Sequence, residues 1–279
     1  MFSKLLKRKP QVRAPENPSV PDGTIVWAIG DIHGRLDLLV PLVEAIMADA
    51  AASTAERKVV IFLGDYIDRG PDSRGVIEYL AALPRDAGVE WRFLKGNHEE
   101  TMLNFLEDSS VGAQWCEYGG DATLRSYGLS IPTLRHRQEM WAHLSADLNH
   151  KLSASERQFL TKLETSVTLG DFYFCHAGAR PGVKLEEQAE EDLLWIRRTF
   201  LDSEHEFDRV VVHGHTPTRE VHRDHRRVGI DTKAYSSGHL TAIRIAGHQF
   251  DCFQTEDATT SGVSIRRHPV PTQAASAAA

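Results

Sequence analysis

The chain has 279 residues, of which 41% are hydrophobic and 25% charged, with a formal net charge of −7. That length and balance allow a large buried core, and no apolar run approaches the roughly 18 residues that a membrane-crossing helix needs. Three dispersed cysteines (Cys116, Cys175 and Cys252) argue against a disulfide framework or a zinc ribbon and fit a reducing, cytoplasmic setting.

Residues 1–23 contain four prolines and no sustained periodicity, which predicts a flexible leader. Lys4, Lys7, Arg8, Lys9 and Arg13 place +5 on the first 13 residues; against a total of −7 this leaves −12 on the rest of the chain. A body this acidic shows no basic face for a nucleic-acid partner. The apolar part of MFSKLLKRKP is too short for a secretory signal. Thr24–Ile29 reads as a buried strand ending at Gly30, and Leu39, Leu42, Val43 and Ile46 then follow helical spacing, with Pro41 expected near the helix start or at a kink. Lys58–Leu63 repeats the strand signal. Asp72 or Ser73 is placed to cap a helix running to about Leu83, where Pro84 stops it. Trp91–Leu94 reads as a third strand and Thr101–Leu106 as a helix.

This alternation predicts an α/β (or α+β) layered fold. Residues 109–165 are polar and mostly helical, with helices expected at Leu134–Leu148 and Ser155–Leu163, and read as an inserted cap. Strands return at Ser166–Leu169, Phe172–Cys175, Val210–Val212, Val228–Asp231, Leu240–Ile245 and Gln249–Phe253. Gly170-Asp171 and Gly247-His248 mark hairpin turns. Residues 256–279 read as a largely flexible tail ending in PVPTQAASAAA.

Five clusters follow predicted strands: Gly30-Asp31-Ile32-His33-Gly34, Gly64-Asp65-Tyr66-Ile67-Asp68-Arg69-Gly70, Gly96-Asn97-His98-Glu99, His176-Ala177-Gly178 and His213-Gly214-His215-Thr216. Ligands of α/β sheets gather at such strand ends. Asp31 and His33, two apart on an extended segment, point the same way and can chelate one ion. Asp65 has two oxygens with which to bridge a pair. Carboxylate, imidazole and amide donors suit Mn²⁺, Fe²⁺ or Zn²⁺, and two such ions clamp the attacking and leaving oxygens of a phosphoryl transfer. Each cluster alone has an ordinary reading. Gly-Asp is commonly a turn, Asn97 can start a helix, His176 can be a core histidine, and His213 and His215 can be turn residues before Pro217. Five in succession at strand ends are not expected by chance.

The motifs GDxHG, GDxxDRG and GNHE, carried by these clusters, resemble the calcineurin-like metallophosphoesterase superfamily and, within it, the phosphoprotein phosphatase branch of bacterial and phage type. The resemblance covers residues 24–255 and implies two packed mixed β-sheets flanked by helices, with a helical cap at about 109–165. It further implies a first metal on Asp31, His33 and Asp65 and a second on Asp65, Asn97, His176 and His215. The two divalent ions would be Mn²⁺ first, with Fe or Zn as alternatives. His98 resembles the general acid, supported by Asp68, and Arg69 resembles a phosphate-binding arginine. Arg197 is the candidate for a second such arginine, with Arg198 its alternative. Pro217 stands where other branches carry a last histidine, and His213 stands where animal members of this branch usually carry an arginine, a departure for which a supporting position is expected.

The implied function is hydrolysis of phosphate monoesters, phosphoserine or phosphothreonine on proteins first, by attack of a metal-bridging hydroxide without a phosphoenzyme. The partner would be a phosphoprotein or a small phosphorylated molecule. The alternative is hydrolysis of diadenosine tetraphosphate or a related capped nucleotide, against which Glu99, where those enzymes often carry Asp, weighs. A non-catalytic binding protein on the same fold is a remote third reading, since every expected ligand position is filled.

Overall fold

The computed structural model describes residues 13–85, 88–131, 138–258 and 262–272. The first half lays down three parallel strands, β1 (Thr24–Ile29), β2 (Arg57–Phe62) and β3 (Glu90–Phe93), each followed by a helix: α1 (Leu36–Ala52), α2 (Ser73–Ala81) and α3 (Asn97–Glu107). A run of helices follows: α4 (Gly112–Glu117), α5 (Gly120–Ser126), α6 (Gln138–Lys151) and α7 (Ala154–Thr161). The second half contains β4 (Ser166–Leu169), β5 (Phe172–Cys175), α8 (Glu190–Trp195), α9 (Arg198–Leu201), β6 (Val210–His213), β7 (His222–Arg223), β8 (Arg227–Gly229) and α10 (Ala234–Ser237). Three strands close it: β9 (Thr241–Ala246), β10 (Gln249–Ala258) and β11 (Gly262–Pro269).

The strands form two mixed sheets, one ordered β11-β10-β9-β1-β2-β3 and the other β4-β5-β6-β8-β7. Side-chain alternation along each strand decides what lies between them. Val26 and Ala28 of β1 and Val59 and Ile61 of β2 meet Phe172, Phe174, Val210 and Val212 across the sheet interface. The opposite residues, Trp27, Ile29, Val60 and Phe62, pack under Leu38, Leu39, Leu42 and Ile46 of α1 and Val76 and Ile77 of α2. Tyr173, Cys175 and Val211, on the outer face of the second sheet, are covered by Leu193, Ile196 and Phe200. The result is helices, sheet, sheet, helices, which is the expected architecture.

Register places the chemistry at one rim. Ile29 pairs with Phe62 and Phe62 with Phe93, so the three parallel strands end together. Their following loops carry Asp31, Asp65 and Asn97. In the second sheet Phe174 pairs with Val212, which brings the loops after β5 and β6, carrying His176 and His215, to a common end.

Several boundaries differ from expectation. Asn97 begins α3 rather than preceding it, so the third cluster is a helix N-terminus. Asp72, one of the two expected caps, does cap α2, accepting the Gly75 N–H at 2.8 Å, but the helix ends at Ala81 and not Leu83. Pro41 lies inside α1, past its first turn. The expected leader falls partly outside the described residues, but Ser19 donates its N–H to Asp171 at 3.0 Å and Val20 is buried, so that part is docked. The expected tail contains the end of β10 and all of β11, whose ladder with β10 runs from Asp251–Pro269 to Ala258–Gly262; residues 273–279 lie outside the described set. β11 alternates intermediate and exposed residues, and this weak apolar signal hides an edge strand. The start of the helix expected at Leu134 also lies outside the described residues. The helices of 109–165 are no detached lid, since Trp115, Leu124, Tyr127, Trp141 and Leu148 belong to the apolar cluster that contains α1 and α2.

Phe62 anchors this cluster directly beneath the site, stacked on Phe93 with ring centroids 5.1 Å apart. Phe62→Ala is expected to lower unfolding free energy by about 3–5 kcal/mol, and Phe62→Leu by less than about 1.5 kcal/mol. Urea denaturation of both variants checks this order.

Candidate active site

Two groups of donor atoms share one carboxylate. His33, Asp65 and His98 form one group and Asp65, His176 and His215 the other, with all donor atoms of a group within 4.8 Å of each other. Asp65 Oδ2 lies 3.5 Å from His33 Nε2, and Asp65 Oδ1 lies 3.4 Å from His176 Nε2. Asn97 Oδ1 joins the second group, 3.0 Å from His176 Nε2 and 2.8 Å from His215 Nδ1. Asp31 stands beside both, its two oxygens accepting the His215 N–H at 3.1–3.2 Å. The six residues expected as metal ligands are thus brought to one place, although the compact first group holds His98 and not Asp31.

Backbone contacts orient the rings. His33 Nδ1 and His176 Nδ1 face the carbonyls of Ile67 and Leu63 at 2.8 and 2.9 Å, so in each neutral ring the proton sits on Nδ1 and Nε2 offers a lone pair to the centre. Glycines clear the approach. A Cβ on Gly64, which has φ +101°, would come within 2.5 Å of Gly96 N, and one on Gly96 would come within 2.1 Å of Asp65 Oδ1. The loops after β2 and β3 can therefore touch only as glycines. Six non-glycine residues have positive φ among those described; five of them are His33, Asp65, Asp68, Arg69 and His215. Such backbone is costly for non-glycine residues and persists where neighbours over-determine it.

The electrostatics call for cations. Asp31, Asp65 and Asp231 are all buried, and buried carboxylates need counter-charge or metal. Burial, reinforced by Asp231, raises the pKa of Asp31 well above the usual carboxylate range. Burial opposes protonation of His176, yet the Asp65 carboxylate prevails and lifts it to about 9, so a proton stands in for the positive charge the donors demand. Burial, with the charge of His176 beside it, depresses His215 to about 2, and its Nε2 is buried without a hydrogen-bond partner. Crowded lone pairs of His176, His215 and Asn97, together with buried carboxylates, fit a pair of divalent ions.

Beside these donors, His98 Nδ1 meets Asp68 Oδ2 at 2.6 Å. Burial disfavours the charged ring, but Asp65 and the hydrogen bond to Asp68 outweigh it and hold His98 above the ordinary histidine value. Asp68 is saturated, receiving Trp115 Nε1 at 2.8 Å and the Thr123 hydroxyl at 2.5 Å as well. Arg69 spans the two groups, with Nη1 2.9 Å from His33 Nε2 and Nη2 3.1 Å from His98 Nε2. Its guanidinium lies 5.0 Å from the Tyr235 ring centroid. A cleft of ≈ 170 Å³ opens here, lined by Arg69, Asn97, His98, Trp115, Trp195 and Arg197, among others. Arg197 thus reaches the cleft, whereas Arg198 begins α9. His213 does not join the donors. Its ring is held by Arg227 at 3.2 Å and lies edge-on to Phe200, and burial, aided by Arg227, drops its pKa to about 3.

Several contributors escaped the sequence reading. Trp115 and Thr123 lie far along the chain from Asp68 and carry no motif. Tyr235 and Asp231 follow β8 without a recognisable pattern. Glu99 was visible, but its role was not. Its buried carboxylate accepts the backbone N–H groups of Asp65 (2.9 Å), Tyr66 (2.8 Å), Ile67 (3.3 Å) and Gly96 (2.9 Å). Burial, with Asp65 nearby, raises its pKa to about 7.

Glu99→Gln must turn an amide N–H₂ toward two of the four donors, since each carboxylate oxygen accepts two, and Glu99→Ala leaves all four unpaired. Both variants are expected to lose stability, the alanine form by a few kcal/mol. Calorimetric titration with Mn²⁺ should show affinity weakened by about 10- to 100-fold, as for other groups that orient ligands.

A model of the calcineurin-like phosphoesterase family matches residues 25–250. The chain is similar to bis(5'-nucleosyl)-tetraphosphatase PrpE [asymmetrical] of Bacillus subtilis (strain 168), 28% identical over 239 residues that cover 77% of this chain and 88% of that protein. A shorter similarity, 34% over 96 residues, links it to serine/threonine-protein phosphatase 1 of Salmonella typhimurium and covers 34% of this chain and 39% of that one. Its fold is similar to that of the cold-active protein-tyrosine phosphatase of a Shewanella species, with TM-score 0.53, 15% identity and coverage of 95% and 88%. The chain belongs to the calcineurin-like phosphoesterase family.

Proposed function

We propose that this chain hydrolyses dinucleoside tetraphosphates, using a dinuclear metal centre held by Asp31, His33, Asp65, Asn97, His176 and His215. The observation that carries this reading is extent. Similarity to the tetraphosphatases runs along 77% of the chain, while similarity to the protein phosphatase stops at 34%. Glu99, expected to speak for a protein phosphatase, carries no weight on substrate, because its carboxylate is spent on four backbone N–H groups and does not face the cleft.

When bound, the metal pair lowers the pKa of water and neutralises phosphoryl oxygens. The remaining work falls to the chain. Arg69 presents two N–H groups, now on His33 and His98, as a fork matched to two phosphoryl oxygens. Arg197, which lines the same cleft, adds a second positive charge. His98, its Nδ1 proton held by Asp68, presents Nε2 to the cleft and delivers a proton to the departing oxygen. Asp68 acts through His98, and Trp115 and Thr123 hold Asp68 in place. The second reading, a protein serine/threonine phosphatase, draws on the shorter similarity and uses the same groups.

Purified enzyme with Mn²⁺ should show higher kcat/KM for a dinucleoside tetraphosphate than for a phosphoserine peptide; clear preference for the peptide overturns the proposal. His98→Asn should lower kcat by roughly 10²–10⁴-fold on the peptide, where an alkoxide leaves. The loss should be smaller on the tetraphosphate, whose departing phosphate is far less basic. Equal losses on both substrates would remove His98 from the proton-donor role. Arg69→Ala should cost about 10²–10³-fold in kcat/KM.

A further inference from the structure

Among the described residues, two large hydrophobic side chains are exposed, Tyr118 at 53% and Trp195 at 40%. They are distant in sequence and belong to opposite sheets' helical coverings, yet both line the cleft that holds Arg69, Asn97, His98 and Arg197. A single exposed ring is ordinary, but two on the wall of one polar-rimmed cleft make the kind of apolar surface that marks a ligand groove. Neither is loosely attached. Trp195 donates its Nε1–H to Glu100 Oε2 at 2.5 Å, which fixes the indole against α3, and its ring centroid lies 6.5 Å from that of His215. Tyr118 ends α4 and presents its carbonyl to Arg69 Nε at 3.4 Å, so its position is tied to the phosphate-facing arginine.

We infer that Trp195 and Tyr118 form a stacking platform for a nucleobase of the substrate, set beside the reacting phosphate. This rests on the nucleotide reading above and adds to it a recognition element. The chemistry is that of an amphipathic planar ligand. A base offers a π-face to the indole and phenol rings, while its phosphates carry the negative charge that Arg69 and Arg197 meet. A phosphoserine side chain would use the arginines and leave both rings uncovered. Trp195 is close to His215, so a base stacked on it brings the phosphates nearest that nucleoside to the metal ligands. Water then adds to one phosphorus, the P–O–P bridge breaks there, and the bridging oxygen leaves on the longer fragment, giving two unequal nucleotides.

The test compares wild type, Trp195→Ala, Trp195→Phe and Tyr118→Ala with Mn²⁺ in excess, on a dinucleoside tetraphosphate and on inorganic tripolyphosphate, an anhydride without a base. The alanine variants should raise KM for the dinucleotide by roughly 5- to 150-fold, the range for loss of one stacked base. The ratio of kcat/KM for dinucleotide over tripolyphosphate should fall in step. Trp195→Phe should recover most of that ratio. A fall that is equal on both substrates, or no change in KM, overturns the platform. A separate readout keeps it distinct from the functional reading. Adenosine monophosphate should quench the fluorescence component lost in Trp195→Phe, and inorganic phosphate should not. If wild type fails to turn over the dinucleotide but this quenching is seen, the functional reading falls and the platform stands. If quenching is absent, the platform falls whatever the turnover.

Discussion

Four backbone N–H groups, from Asp65, Tyr66, Ile67 and Gly96, converge on the one carboxylate of Glu99 in a place closed to water. Buried donors of this kind must be paired, and two loops leaving adjacent strand ends have no ladder left to pair them. Glu99 solves this for both loops at once. Because it sits in the first turn of α3, it also ties the loop after β2 to the helix that carries Asn97 and His98. Asp65, His98 and Asn97 thereby acquire fixed relative positions before any ligand arrives. The absence of a Cβ at Gly64 and Gly96 is what lets the loops close to that distance.

The centre built on this clasp is electrostatically unfinished. Three buried carboxylates and a ring of imidazole and amide lone pairs face each other with protonated histidine as their main relief. Divalent cations supply the missing charge, so metal binding and the integrity of this rim are one equilibrium. The positive-φ backbone at His33, Asp65, Asp68, Arg69 and His215 is the conformational cost of aiming these side chains inward from loops. The four-layered body meets that cost by burying both faces of β1 along its whole length and of β2 from Val59 to Phe62.

The His98–Asp68 side of the site depends on a different part of the chain. Asp68 is oriented by Trp115 and Thr123, which come from helices α4 and α5. The same segment brings Tyr118 to the cleft and its Gly119 carbonyl to the Arg69 N–H at 3.1 Å. Helices read from sequence as a cap are therefore part of the core on one side and of the active-site wall on the other. The cleft wall at Tyr118 and the contacts that fix Asp68 share one structural element, so variation in that segment would alter both together.

The sequence by itself determined the layered α/β class, most strands to within a residue or two, and the gathering of Asp31, His33, Asp65, Asn97, His176 and His215. These were legible because strand alternation, glycine turns and ligand types are local signals. It also placed Asp68, Arg69 and His98 through their motifs. It missed β11, whose half-exposed edge pattern carries little apolar signal, and it took Glu99 for a clue to substrate. Only the tertiary structure decided that Glu99 faces backbone N–H groups, that Trp115 and Thr123 hold Asp68, that Arg197 and not Arg198 lines the cleft, and that Tyr118 and Trp195 share it. Each of these is a contact between segments distant in the chain. No spacing encodes such a contact until register and packing bring the strand ends to one rim.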